Sequence, residues 1–171
     1  MRRAIRHSPR GHWPASEVTG GVTLDFDARY RRRVRLDVDE GGEMLLDLER
    51  AVAMADGDGL ALDDGGWIEV RAAAEPLVEV RADNPLLFVR LAWHLGNRHI
   101  TTEIGMGLIH IRPDHVLEEM LVRLGARLRH VNASFQPEGG AYEDQVHHHD
   151  GDRDHHHGHD QGHDKGHDHG Y

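Results

Sequence analysis

The sequence contains no cysteine among its 171 residues. This absence excludes disulfide bonds, thiolate zinc sites, iron–sulfur clusters and cysteine nucleophiles. A transition metal bound by this chain must therefore use imidazole, carboxylate or backbone ligands. Those ligands suit nickel, zinc, cobalt or copper(II) better than copper(I).

Long apolar runs are also missing, because no stretch approaches the ~18 consecutive apolar residues of a membrane helix. The basic start, MRRAIRHSPRGHWP, has no apolar segment after it and does not resemble a secretory signal. The net charge of −10 disfavours binding to nucleic acid or to anionic membranes. We therefore expect a cytoplasmic protein that binds neither nucleic acid nor a membrane.

Motifs of catalysis are missing as well. The sequence has no HExxH motif, no P-loop and no GxSxG motif. No pattern in the chain pairs a nucleophile with a general base. These absences argue against an enzyme, and they direct attention to binding.

What the sequence does contain begins with a predicted all-β domain, residues 1–75. Short runs that alternate apolar and polar residues recur between residues 20 and 75, separated by glycine and aspartate. One of these runs is RRRVR, from Arg31 to Arg35. A binding patch is one interpretation, but a solvated strand face or sheet edge also requires charge, and we favour the second interpretation.

The pattern changes at residue 76 to that of a ferredoxin-like domain, residues 76–136. The strand candidate PLVEVRA precedes a helix that begins at Pro85 and that we expect to end with Gly96 as its C′ residue. Two further strands follow around a glycine-rich turn, and Asp114 is a favourable N-cap for a second helix. RLRHVNASF is the last strand. The order β-α-β-β-α-β predicts an α+β protein with two domains.

A histidine-rich tail, residues 137–171, follows the last strand and is expected to be disordered, because it has too few apolar residues to build a core. Imidazole is the commonest protein ligand for borderline metals, while the interleaved aspartates add oxygen ligands and the glycines keep the chain flexible. A purification tag and a low-complexity tail that binds no metal are the alternatives. The metal-binding interpretation assigns ten tail ligands: His147, His148, His149, His155, His156, His157, His159, His163, His167 and His169.

Seven of the 17 histidines lie outside the tail. His99 follows the expected end of the first helix, where a loop can present it outward, and a two-fold axis would bring two copies of it together. His94, near the end of that helix, is more simply a complement to the helix dipole. We expect His110, on a strand, to be either solvated or at an interface. For His110 and for His115, just after the N-cap, roles as ligand and as non-ligand are equally open.

The segments PLVEVRADNPLLFVRLAWHLGNRHI and IRPDHVLEEMLVRLGA closely resemble the urease accessory nickel chaperones. The resemblance covers roughly residues 20–135, and HLGNRH is its most specific part. It implies that the β domain binds protein partners and that His99 binds nickel at the interface of a homodimer. Some members carry further ligand histidines where this chain has Arg112 and Pro113, so a peripheral site here requires His110 as a substitute.

The function that this resemblance implies is that of a nickel metallochaperone, which delivers Ni²⁺ during assembly of the urease active site. The same ligands also bind Zn²⁺, Cu²⁺ or Co²⁺. The implied partners are a second copy of the chain, the urease apoprotein and other urease accessory proteins, including an accessory GTPase. A histidine-rich protein that stores or buffers nickel or zinc and a peptide-binding folding chaperone are the alternatives.

Overall fold

A computed structural model describes residues 1–139, and the first half of this range forms a six-stranded sheet. The strand order is β2-β6-β5-β1-β4-β3, with parallel pairing of β1 with β4 and of β2 with β6. The strands are β1 (Arg2–Ser8), β2 (Val18–Leu24), β3 (Tyr30–Asp37), β4 (Glu43–Ala53), β5 (Gly59–Leu62) and β6 (Trp67–Ala72).

Apolar side chains from all six strands form the core of this sheet, which confirms the predicted β domain. Strand β1 has no apolar alternation that would predict it, because Ala4 is the one fully buried residue of its seven and charged residues surround it. The buried core consists of Ala4, Val22, Leu36, Met44, Leu46, Leu48, Met54, Leu60, Leu62, Ile68 and Val70.

The second half forms an antiparallel four-stranded sheet with two helices on one face. Its strand order, β10-β7-β9-β8, is that of a ferredoxin-like fold, so the predicted βαββαβ domain is confirmed. The elements are β7 (Ala74–Arg81), α1 (Pro85–Gly96), β8 (Thr102–Gly105), β9 (Leu108–Ile111), α2 (His115–Arg123) and β10 (Arg127–Ser134). Their buried core consists of Val78, Val80, Leu91, Leu95, Ile109, Ile111, Leu121 and Ala126.

Both helices begin at side chains that accept hydrogen bonds from the first turn. The side chain of Asn84 accepts one from the backbone N–H of Leu87, and Pro85 stands where a free N–H would have no partner. Asp114 accepts hydrogen bonds from the N–H groups of Val116 and Leu117, which confirms it as the N-cap of α2. Neither helix within residues 1–139 has the length and apolar character needed to span a bilayer.

A buried arginine joins the two sheets. Arg29, only 3% exposed, donates hydrogen bonds to the carbonyls of Met54 and Phe135 and to the side chain of Gln136. Burial lowers the pKa of its guanidinium, an effect that the carboxylate of Glu75 opposes. The fully buried ring of Phe135 also packs against Phe26, with 5.5 Å between ring centroids. This junction therefore holds both sheets in one compact unit, Met1–Glu138.

The exact division into residues 1–75, 76–136 and 137–171 stays a prediction. The first sheet ends with Ala72 and the second begins at Ala74. Residues 140–171, which hold all ten tail histidines, lie outside the described residues. The prediction that the tail is disordered concerns those residues and stays a prediction.

A row of charged side chains crosses the face of the second sheet that the helices leave uncovered. Its members are in cross-strand register in the order Arg129, Glu79, His110 and Glu103. The carboxylate of Glu79 accepts hydrogen bonds from Arg81 at 2.7 Å and from Arg129 at 3.1 Å. The bond from Arg81, opposed by burial and reinforced by Arg129, lowers the pKa of Glu79 from 4.5 to about 2.

We expect Glu79→Gln to destabilise the protein by about 1 kcal/mol at pH 7, because a carboxylate held by two guanidinium groups becomes a neutral amide. The folded-state pKa of Glu79 is depressed, so its contribution is present above the unfolded pKa and is lost as the pH falls through the folded one. The difference in unfolding free energy between wild type and variant should therefore shrink between about pH 4.5 and pH 2. Urea unfolding across that range measures it.

The matched control is Glu49→Gln, which removes an exposed carboxylate that makes no side-chain hydrogen bond within residues 1–139. It should change the unfolding free energy by less than about 0.5 kcal/mol at any pH. Equal effects of the two substitutions would show that the row does not stabilise the fold.

Candidate metal centre

The end of helix α1 presents His99 in an unusual backbone conformation. His99 has a φ of 56° and is the only residue other than glycine with positive φ within residues 1–139. The N–H of His99 bonds to the carbonyl of Gly96, and the N–H of Ile100 bonds to that of Leu95. These two bonds define a Schellman motif with His99 at the C′ position.

The prediction that Gly96 is the C′ residue is therefore wrong. Gly96 is the last residue of α1, and the chain continues through Asn97 and Arg98 in further turns before it leaves the helix. The sequence rule looks for glycine because glycine adopts positive φ without strain. Here histidine occupies the left-handed position, which is unfavourable by about 1 kcal/mol for a residue with a Cβ atom. Strained residues of this kind concentrate at functional sites.

The side chain of His99 is exposed, and an exposed apolar stripe follows the same helix. Leu86, Val89 and Trp93 are each more than half exposed. Their spacing of three and four residues places them on one helix face, away from the buried Leu91. This stripe, which we call the α1 stripe, is apolar surface with no cover among the described residues.

His94 lies in the last turn of α1 and is half-buried. Its ring packs edge-on against Trp93, with 5.0 Å between centroids. The guanidinium of Arg98 donates to the carbonyl of His94 at 3.0 Å. Histidine and arginine thus both stand where positive charge is favourable near a helix C-terminus.

His110 is mostly buried in the charged row of the second sheet, with 12% of its side chain exposed. Its Nδ1 lies 3.5 Å from Oε1 of Glu103, and its Nε2 lies 3.9 Å from Oε2 of Glu79. The alternative that His110 is solvated is therefore wrong, and the alternative that it lies at an interface stays a prediction. Register among separate strands places both carboxylates beside the ring, and a single sequence carries no signal for that register. Whether His110 is a ligand stays a prediction.

His115 is the first residue of α2 and is exposed. It lines a shallow surface groove with Glu118 and Leu128. No signal in the sequence marks His130, whose Nε2 lies 2.7 Å from Oε2 of Glu118.

The structure keeps His99, His110 and His115 on separate elements: one after α1, one on β9 and one at the start of α2. Within residues 1–139, no group of three or more His, Asp or Glu side chains is arranged to hold a metal ion. Within this range His99 therefore stands as an isolated imidazole, and so does the exposed His115. The tail histidines fall outside the described residues.

Comparison with known proteins gives two adjoining matches to one family. Residues 3–73 match the N-terminal domain of the UreE urease accessory protein, and residues 75–170 match its C-terminal domain. A relative from Bradyrhizobium sp. (strain ORS 278), named Urease accessory protein UreE, is 52% identical over 149 residues, 87% of this chain and 70% of the relative. A protein of the same name from Beijerinckia indica is 47% identical over 152 residues, 86% of each chain. Another from Paracoccus denitrificans is 49% identical over 140 residues, 82% of this chain and 84% of the relative.

These matches confirm the resemblance, which covers roughly residues 20–135 and so already includes both domains. They also bear on catalysis, because the family is one of accessory proteins and not of enzymes. This chain belongs to the UreE urease accessory protein family.

Proposed function

We propose that this protein is a nickel metallochaperone, which binds Ni²⁺ and delivers it during assembly of the urease active site. The observation that carries the proposal is His99, an exposed imidazole held in a left-handed conformation at the end of α1. A structural helix end would be served better by glycine at this position. The imidazole itself is therefore the reason to keep histidine there.

The protein acts as a homodimer in this proposal, with the α1 stripe in the interface. Leu86, Val89 and Trp93 give the stripe an apolar surface that association would remove from water. A two-fold axis places like residues against each other, so an axis near the end of α1 brings two His99 side chains to one metal ion. The apolar contact then stabilises the dimer, and the two His99 side chains bind the metal ion.

Two imidazoles leave several coordination positions of Ni²⁺ open to water or to tail histidines. Partial coordination suits a carrier, because the ion must leave for its acceptor. Zn²⁺, Cu²⁺ and Co²⁺ accept the same ligands, and Cu²⁺ binds them most tightly. In this proposal selectivity for nickel therefore comes from the partners, which are the urease apoprotein and other accessory proteins, including the accessory GTPase, in the cytoplasm.

Storage of nickel or zinc is the second candidate function, and the tail favours it. Ten histidines in the last 25 residues give capacity well beyond one transferred ion. Activation of apo-urease with nickel as the limiting metal separates the two functions. A metallochaperone raises the yield of active urease under that limit, whereas a storage protein competes for the nickel and lowers the yield.

We expect truncation before His147 to lower the number of bound nickel ions sharply while the fold and the dimer persist. The reason is that the tail holds most of the histidines but hardly any apolar side chains that could pack. Calorimetric titration of the full-length and truncated proteins measures the stoichiometry, and circular dichroism checks the fold. Equal stoichiometry in the two proteins would contradict a metal-binding role for the tail.

Nickel binding should weaken steeply between about pH 7 and pH 5. Unperturbed histidine titrates near pH ~6.5, and a metal ion must displace the proton from each protonated ligand. Titrations at several pH values in that window test this expectation. A flat profile would mean that carboxylates hold the ion, since they lose their protons at lower pH.

The decisive variant is His99→Gly in the protein truncated before His147. The truncated parent should keep one tight nickel site per dimer, and symmetry makes the substitution remove both anchoring imidazoles at once. Because glycine adopts a φ of 56° without strain, the apo protein should be as stable as the parent or more stable by about 1 kcal/mol. Calorimetry measures the site, and urea unfolding measures the stability.

His99→Ala and His94→Ala are the controls. His99→Ala should lose the site but keep the stability of the parent, because histidine and alanine both carry a Cβ atom and are strained alike at positive φ. His94→Ala should leave the tight site intact. Retention of one tight nickel per dimer in His99→Gly would refute the interface site. Loss of stability in that variant would show that the imidazole has a structural role.

A further inference from the structure

Strand β3 carries a run of arginines along a free edge of the six-stranded sheet. It is the last strand in the sheet order, and among residues 1–139 it pairs only with β4. We call its side chains Arg31, Arg32, Arg33 and Arg35 the arginine edge; all four are exposed. The chain as a whole has 30 acidic and 20 basic residues, so this cluster opposes the sign of the net charge.

The carboxylates around the arginine edge neutralise it poorly. Arg33 lies 3.5 Å from Asp47 and stays 65% exposed, and Arg35 lies 4.0 Å from Glu43 and stays 71% exposed. Arg31 and Arg32 form no salt bridge within the described part of the chain. Their guanidinium groups donate only to the backbone carbonyls of Tyr30 and Leu48. The edge therefore offers positive charge that is free to meet an anion.

The backbone of β3 is equally open. An edge strand presents unpaired N–H and C=O groups along its outer side. The irregularity in this pair lies on the partner: between Arg31 and Arg33 the register moves from Val52 to Asp47, so the extra residues bulge from β4. The eight residues of β3 stay continuous and can pair with an added strand.

We propose that the arginine edge is a docking site for an extended acidic segment of a partner protein, which adds to the sheet beside β3. Backbone hydrogen bonds would supply affinity, as in other cases of strand addition. Arg31, Arg33 and Arg35 share one face, with ~6.6 Å between successive side chains. The segment recognised therefore carries carboxylates at alternate positions, each able to form a charge-assisted hydrogen bond with one guanidinium.

Protection against aggregation is the competing role for a charged edge. Two other edges, β2 and β8, contain no basic residue, but other segments of the chain bond to them, so they do not decide between the two roles. The fourth edge, β10, does carry arginines, but they are engaged: Arg127 lies 2.6 Å from Asp83 and Arg129 lies 3.1 Å from Glu79. The arginine edge differs from β10 in having weak or missing partners, which favours recognition.

The test uses the full-length protein and a fluorescein-labelled peptide of about eight residues, the length of β3, in which glutamate alternates with threonine. Anisotropy measures its binding at low salt. A peptide of the same composition with its glutamates in one block should bind about tenfold more weakly, because it cannot place a carboxylate opposite each arginine. The alternating peptide with N-methyl groups on one backbone edge should also lose binding.

Arg33→Gln with Arg35→Gln should weaken the alternating peptide about tenfold, since two exposed ion pairs are removed. The matched control, Arg123→Gln with Arg127→Gln, removes the same charge from side chains that are 79% and 69% exposed elsewhere. It should leave binding unchanged. The proposal does not rest on the nickel function, and nickel stoichiometry should be the same in both variants.

Four results would overturn the proposal. The first is no binding of either peptide, and the second is equal affinity for the alternating and block peptides. The third is equal weakening by the two double variants, which would reveal a general charge effect. Aggregation of Arg33→Gln with Arg35→Gln, together with unchanged peptide affinity of its soluble fraction, would assign the edge to protection alone.

Discussion

The burial of Arg29 is the constraint on which the arrangement of this protein depends. A guanidinium that is 3% exposed must have hydrogen-bond acceptors, because an unpaired buried charge is strongly unfavourable. Two of its partners, the carbonyl of Phe135 and the side chain of Gln136, come from the segment after β10. That segment is therefore held between the sheets, and Glu138 donates its N–H to the carbonyl of Thr102. Thr102 stands three residues after His99, so the junction and the candidate metal ligand belong to one connected region.

In the ferredoxin-like domain, different faces of helix α1 contribute to the core and to the exposed surface. One face supplies Leu91 and Leu95 to the core, and the other leaves Trp93 exposed. The Schellman motif at its end consists of backbone bonds, which do not require the imidazole of His99. The fold therefore does not depend on the imidazole ring of His99, and the backbone conformation at this position favours glycine over residues with a Cβ atom.

Local signals explain what could be predicted from the sequence. Asn84 and Asp114 accept hydrogen bonds from N–H groups only two or three residues further along the chain. Both N-caps can therefore be predicted from the sequence. The helix end is harder, because a glycine at position 96 is the expected signal but the structure uses His99 instead. The environment of His110 could not be predicted at all. It requires the register of three strands, and Glu79 and Glu103 approach the ring only after that register is set.

Two groups of arginines lie on sheet surfaces, and they differ in whether the folded chain neutralises their charge. Arg129 and Arg81 hold a carboxylate at hydrogen-bond distance and depress the pKa of Glu79 to about 2, so that positive charge is neutralised by the fold itself. Arg33 has a more distant partner and Arg32 has only a carbonyl among residues 1–139. Such side chains gain little from the folded chain, because exposed ion pairs of this length contribute about 0–1 kcal/mol. Such a guanidinium is only weakly stabilised by contacts within its own chain. Little free energy is therefore lost when it binds a carboxylate from another chain instead. The same reasoning applies to His99, whose side chain makes no hydrogen bond within residues 1–139 and is available to a ligand from outside.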